Sequence, residues 1–273
     1  MIVEAQLDAR SRQLRRIIAE MLRTGRRGHV GSAFSLIEIL RVLYDDVLKF
    51  DATQPRWPER DRCILSKGHG CLALYAILAD KGFFPEAELK KFCAVDGKLG
   101  GHPDREKVPG VEASTGALGH GLPIGVGMAC HLKMVKSSSR IFVILGDGEC
   151  NEGSNWEAAM CASKHRLENL CVVVDYNKHQ AYSTTAEVQD LEPFADKWRA
   201  FGFAVQELDG HDVSQLRTAF QTVPHVAGKP TAIICHTIKG RGAKHVENNL
   251  KWHHKNRVTD DEVEALLAAI EVA

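Results

Sequence analysis

The 273-residue sequence lacks any apolar run approaching 18 residues, so no membrane-spanning helix is expected. It has no excess of either charge: Lys+Arg and Asp+Glu both number 35. That balance argues against a nucleic-acid-binding protein, which would carry a basic stripe, and against a membrane-surface protein. Like charges gather only in short blocks, at residues 10–16 and 23–27. None of the eight cysteines forms a Cys-x-x-Cys pair, and most sit inside apolar runs. This excludes the spacing of a structural zinc site or a disulfide framework and favours reduced, buried thiols in a cytoplasmic protein. No repeat, low-complexity segment or linker is present. The opening residues read as a polar helix, without the basic-then-apolar order of a secretory leader.

What is present suits a packed core. Hydrophobic residues are 44% and charged residues 26%, and the length allows one large domain or two small ones. Leu7, Leu14, Ile17, Ile18, Met21 and Leu22 follow helical spacing, as do Leu36, Ile39, Leu40, Leu43 and Val47. A short strand is expected at 63–65 and helices at 70–81 and from Pro85 to about 93. Residues 97–127 hold nine glycines in 31 positions, which reads as a binding loop running into a helix, because glycine lets backbone amides approach a ligand. Strands at 140–145 and 170–174 flank a helix at 153–165, a strand–helix–strand unit with parallel strands. Further strands are expected at 204–208 and 231–235, with a helix at 213–222 between them. A loop is expected at 239–242, and a last helix opens with the capping-box form Thr259-Asp260-Asp261-Glu262. The pattern predicts one α/β domain over 1–273, with a mostly parallel sheet covered by helices on both faces. Ligands of such sheets sit beyond the carboxyl ends of the strands.

Asp147 and Asn177 fall just after two such ends, 30 residues apart. Mg²⁺ prefers six oxygens in near-octahedral array. The Asp147 carboxylate, the Asn177 amide oxygen and the His179 carbonyl would supply three, a bound diphosphate two, and water one. Gly146-Asp147-Gly148 alone is a common turn; the strands around it and the spacing make it specific.

Here the sequence resembles the transketolase family. Gly146-Asp147-Gly148-Glu149-Cys150-Asn151-Glu152-Gly153, with Trp156-Glu157-Ala158 and Asp175-Tyr176-Asn177-Lys178, is similar to the family's thiamine-diphosphate motif. Counterparts also exist for Gly28-His29, Leu65-Ser66-Lys67-Gly68-His69, Gly101-His102-Pro103-Asp104, Pro109-Gly110-Val111-Glu112, Thr115-Gly116, Leu118-Gly119, Gly121 and Lys239-Gly240-Arg241-Gly242. The resemblance implies thiamine diphosphate and Mg²⁺ as cofactors, with Asp147, Asn177 and the His179 carbonyl on the metal. It implies that His69, Gly116, Leu118, Gly148, Glu149, Lys239 and His253 line the cofactor, and that His29, His69 and His102 face the substrate. Imidazoles suit a reaction that makes and unmakes alkoxides near neutral pH. Glu152 and Glu157 resemble carboxylates that bridge two active sites across a dimer interface; for Glu157, a plain helix-start acid favoured by the dipole stays an alternative. His131, His165, His211 and His225 read as ordinary surface or core histidines, and His245 and His254 are undecided. His120 stands where the family has Gln, and His254 where Gly follows the histidine matched by His253.

In this family the glutamate that activates the cofactor lies in a second, pyrimidine-binding domain, for which no strands are found here. Glu187, in a polar segment, is a poor substitute. The expectation is a split enzyme: this chain as the N-terminal subunit, a separate C-terminal subunit carrying the pyrimidine-binding domain and its glutamate, and an α2β2 assembly. The expected activity is transfer of a two-carbon ketol unit from a ketose or ketose phosphate to an aldehyde. An acyl-transferase or 2-oxo acid decarboxylase subunit is an alternative, less suited to His29 and His102; a noncatalytic subunit is a second, which would need neither metal ligands nor channel imidazoles.

Overall fold

The computed structural model describes residues 7–273, so the first six residues of the expected domain and of the opening segment lie outside the described residues. Five parallel strands form one sheet in the order β1-β2-β3-β5-β4: β1 Arg62–Leu65, β2 Ile141–Gly146, β3 Leu170–Tyr176, β4 Ala204–Asp209 and β5 Thr231–His236. β2 and β3 are buried along their whole length, as a parallel sheet covered on both faces requires. Their side chains alternate between two cores: Phe142, Ile144, Cys171 and Val173 enter one, while Ile141, Val143, Val172 and Val174 enter the other.

The first face is covered by α1 Ala9–Gly25, α2 Val30–Ser35, α3 Ile37–Val42 and α4 Cys71–Asp80, the last buried at every position but Asp80. The second face carries α5 Gly121–Met134, α6 Gly153–Lys164, a short α7 Thr185–Gln189 and α8 Phe194–Ala200. α9 Val213–Gln221 and α10 Asp260–Glu271 return to the first core through Leu216, Phe220, Val263, Leu266 and Ile270. The Thr259 capping box forms as expected: Glu262 N donates to Thr259 Oγ1 at 3.2 Å and Thr259 N to Glu262 Oε2 at 3.1 Å. The eight cysteines are free.

Three expectations need correction. The segment after Pro85 is a 3₁₀ turn over Glu86–Lys91, not an α-helix; Leu89 is its sole buried residue, too little apolar surface to hold a regular helix. The pattern from Leu36 to Val47 is broken into α3 and a π-helical turn over Leu43–Val47. α7 and α8 were not expected, although Phe194 and Trp198, spaced i and i+4, anchor α8 in the second core.

A buried ionic knot joins α1, α3 and the loops beyond β4 and β5. Arg15 meets Glu38 at 2.7 and 3.0 Å and donates through Nε to the Arg241 carbonyl at 2.8 Å. His211 Nδ1 donates to Glu38 Oε2 at 2.9 Å while its Nε2 accepts from Ile238 N at 2.9 Å, so the ring is structural, as read from sequence. Burial would raise the Glu38 carboxyl, but the Arg15 charge and the His211 hydrogen bond hold it well below its ordinary value. Glu38→Ala leaves Arg15 charged and unpaired in the core. It is expected to cost about 3–5 kcal/mol, measured by urea unfolding; a loss under about 1 kcal/mol would show that water reaches Arg15.

Candidate active site

The site is assembled at the carboxyl ends of β1, β2, β3 and β5. Asp147 follows β2 and Asn177 follows β3, and Gly146 and Asp175 pair directly across the two strands. Both side chains are buried. Asp147 Oδ1 accepts from Gly148 N at 2.7 Å and Oδ2 from Lys178 N at 2.5 Å. Asn177 Oδ1 accepts from His179 N at 3.1 Å, and the His179 ring bonds back to the Asn177 carbonyl at 2.9 Å. His179 therefore has its carbonyl, not its imidazole, to offer the site. Lys239 Nζ donates to that carbonyl at 3.0 Å and to the Gln180 carbonyl at 3.1 Å. The donor set is one carboxylate, one amide and one main-chain carbonyl, all hard oxygens of the kind Mg²⁺ prefers. Among the described residues no group of three or more His, Cys, Asp or Glu is placed to hold a metal, so this mixed set is the candidate.

Two observations fit a cofactor here. Gln180 Nε2 and His253 Nδ1 are buried without a hydrogen-bond partner. Gly148 also lies so close to Gln180 that a Cβ would come within 2.7 Å of Gln180 Cγ. Gly116, at φ +147°, faces His102 likewise, its absent Cβ 3.0 Å from the ring.

Four expected imidazoles converge. The His29 ring centroid is 5.4 Å from His69, 6.1 Å from His102 and 5.5 Å from His253, and His69 is 5.8 Å from His253. The undecided His254 joins them, stacked on His29 at 4.3 Å. Burial first, then the surrounding imidazoles and the Lys239 ammonium, push His29 down to about 3. Burial and Lys239 take His253 to about 3 as well. His69 is lowered by burial and Lys67, and His102 by burial and His254. His29, His69, His102 and His253 are thus neutral at pH 7. Lys239 itself is pushed to about 8 by burial and by Lys67, while burial and the Asp175 charge raise Asp147 to about 7.

Other expected residues sit at the margins. Glu149 Oε1 accepts from Ser66 Oγ at 2.5 Å and Gly119 N at 3.0 Å, and Oε2 from Gly146 N at 3.1 Å. Its carboxylate is engaged by the scaffold and holds the loop beside half-buried Leu118. Glu152 and Glu157 are exposed and stand apart from the imidazoles. Sequence reasoning gave no role to Lys67 and Asp175, although both lie in quoted motifs. They form a buried pair at 2.5 Å, and Asp175 also accepts from Ser35 Oγ at 2.6 Å and from Thr237 Oγ1. A lysine and an aspartate placed just after, or at the end of, two apolar strands was the available signal. A cavity of about 770 Å³ opens alongside, bordered by Asn177, His179, His211 and Thr237, but the imidazole cluster lines none of it.

Residues 8–271 match the family described as transketolase, thiamine diphosphate binding domain. The chain belongs to the transketolase family. It is 43% identical over 244 residues to the 6-deoxy-6-sulfo-D-fructose transketolase subunit SqwG of Clostridium sp. (strain MSTE9), covering 89% of this chain and 88% of that protein. It is 41% identical over 263 residues to an apulose-4-phosphate transketolase subunit of Actinobacillus succinogenes, covering 96% and 95%. Among solved structures, Pichia stipitis transketolase with sedoheptulose-7-phosphate superposes with a TM-score of 0.88 at 28% identity. That match covers 94% of this chain but 39% of the other, so the chain spans about two fifths of that transketolase.

The depressed imidazoles make stability depend on pH. Unfolded histidine titrates near 6.5, so the unfolded chain binds protons that folded His29 and His253 refuse, and stability is lost as pH falls below about 6.5. Each ring should remove up to about 2 kcal/mol between pH 7 and pH 5. Urea unfolding at both pH values measures the loss, and His29→Asn should reduce it by about one ring's share. An unchanged dependence would place His29 in water.

Proposed function

We propose that this chain is the diphosphate-binding subunit of a two-chain transketolase, using thiamine diphosphate and Mg²⁺ to move a two-carbon ketol unit from a ketose to an aldehyde. The observation that supports this best is the neutral imidazole cluster standing across Lys239 from the Asp147–Asn177 oxygen pair. When bound, thiamine diphosphate supplies the electron sink for breaking and making a carbon–carbon bond next to a carbonyl.

The chain's own residues bind and orient. Asp147, Asn177 and the His179 carbonyl would hold the metal, and Lys239 and the unpaired His253 Nδ1 would meet the diphosphate oxygens. Gly116, Leu118 and Gly148 would form the backbone wall against the cofactor. His29, His69 and His102, neutral at pH 7, can each donate and accept, which suits substrate hydroxyls that alternate between alcohol and alkoxide character. The two related proteins carry sulfonated or phosphorylated sugars in their names, so an anionic ketose is the proposed substrate class.

The partner would be a separate C-terminal subunit with the pyrimidine-binding domain and its glutamate, in an α2β2 assembly. Support comes from relatives named as subunits and matched over 88% and 95% of their own length. Exposed Glu152 and Glu157 are free to reach such an interface. No helix among the described residues is long and apolar enough to cross a membrane, and eight free thiols suit a reducing cytoplasm.

Calorimetry of the reconstituted pair should show Mg²⁺-dependent thiamine diphosphate binding. Asp147→Ala should weaken it about 100-fold, the value of about 3 kcal/mol for losing a charged ligand. The purified chain alone, given cofactor, Mg²⁺ and a ketose donor, should transfer no ketol unit. Turnover without a partner would refute the two-chain mechanism, and metal-independent binding would refute the oxygen cage.

A further inference from the structure

One contact in the imidazole cluster differs from the others. The His254 ring is stacked on His29, with centroids 4.3 Å apart and planes 27° apart. His69, His102 and His253 meet His29 at 58°, 57° and 87°, with centroids at 5.4, 6.1 and 5.5 Å. His254 is also the ring that departs from the family pattern, which carries glycine there.

The stack follows from backbone register. Gly28 N donates to the Lys255 carbonyl and Lys255 N to the Gly28 carbonyl, each at 3.0 Å, which makes them a hydrogen-bonded antiparallel pair. One step along, His29 stands opposite His254, where the side chains of antiparallel neighbours come closest. Both segments are anchored. Gly28 is buried, and a Cβ there would come within 2.9 Å of Leu72 Cδ1. Lys255 Nζ bonds Glu262 at 2.6 Å and lies 4.9 Å over the ring of buried Trp252. Val258 N donates to the Arg26 carbonyl at 2.8 Å and closes the return. An imidazole donates and accepts in its own plane. Two rings stacked this way present their nitrogens side by side, so no hydrogen bond passes between them and His254 is no proton relay for His29. The stack instead covers one side of the His29 ring and holds its plane.

We propose that His254 is the positioning residue of His29, stacking on one face of that ring to keep its nitrogens aimed at a hydroxyl of the reacting sugar. The proposal rests on the transketolase reading and deepens it by giving the exposed fifth ring a task. A His29 ring free to turn would lose the aligned hydrogen bond in most of its orientations, which lowers turnover more than binding. The stack also has an electrostatic consequence. Burial first, then the charges of His254, His253, His102 and Lys239, keep His29 from taking a proton, and His69 is the other titratable ring against it. Loss of the His254 ring removes both cover and charge, so His29 would take a proton more readily.

Two variants test it: His254→Gly removes the ring, and His254→Phe keeps a stacking face without nitrogens. His254 is exposed, so neither substitution disturbs the core. First, the His29 ring is followed by NMR in the full chain as pH is varied. His254→Gly is expected to abolish the ring-current displacement of the His29 protons and to let the ring titrate at a higher pH, while His254→Phe retains the displacement. His29 signals and titration unchanged by His254→Gly would overturn the proposal. Second, in the reconstituted pair His254→Gly should lower kcat about tenfold while KM for the ketose moves less than about twofold, and His254→Phe should recover most of the lost kcat. Equal losses in both variants would overturn positioning and assign the His254 nitrogens a direct contact with substrate. Should the unaltered pair transfer no ketol unit, the transketolase reading fails, while a ring-current displacement lost in His254→Gly and kept in His254→Phe would still support the hold of His254 on His29.

Discussion

One buried carboxylate, Asp175, ties the site to the fold. It is the penultimate residue of the fully buried β3 and receives Lys67 from beyond β1, Ser35 from α2, Thr237 from beyond β5 and, at 3.4 Å, the Asn177 amide. Burial alone would raise its pKa, but the Lys67 charge and these hydrogen bonds hold it low. Four chain segments far apart in sequence are thereby fixed around one charge. An ion pair this deep gives little net stability, since two charges lose their water. What it does is set positions: the Asn177 amide nitrogen faces Asp175 while its oxygen accepts from His179 N, and Lys67, two residues before His69, is held in place.

The same charge sets the electrostatics above it. Asp175 and burial raise Asp147, while Lys67 and burial depress Lys239, so an acid and a base facing one space are both biased toward their neutral forms. A divalent cation relieves the first and a diphosphate the second. A metal–diphosphate pair, which brings both charges together, would favour the carboxylate of Asp147 and the ammonium of Lys239 at once. No other single ligand of one sign would do so. The imidazoles, depressed by their own crowding, add donors and acceptors without adding charge.

The architecture was open to sequence reasoning because parallel strands buried on both faces read as continuous apolar runs, and all five strands were found within two residues of their ends. Elements held by few apolar contacts were misjudged: the turn after Pro85 anchors only Leu89 and α7 only Thr185. Asp147, Asn177, His29, His69 and His102 could be singled out because each stands just after a strand or beside glycine, whereas His253, between Trp252 and His254, was singled out on the family resemblance. The buried pair beneath them was passed over, since a charged residue after an apolar strand looks like a surface turn until the opposite strand supplies its partner. The inward turn of the Glu149 carboxylate to Ser66 and two backbone amides is something spacing cannot reveal. His254 became interpretable only when its ring was seen against His29.

The glutamates among the described residues bear on the proposed second subunit. Any glutamate that acts on a bound aminopyrimidine must face the cofactor and have a free oxygen. Glu149 has both oxygens engaged by Ser66, Gly119 and Gly146. Glu187 is spent closing the capping box of α7, where it accepts from Ser183 and Thr184. Glu38 is locked between Arg15 and His211, and Glu152 and Glu157 lie exposed, off the cluster. Among the described residues these carboxylates are committed or exposed away from the rings, while His102 and His254 are exposed. Among the described residues the imidazole wall therefore carries no uncommitted glutamate, which fits the second subunit proposed above.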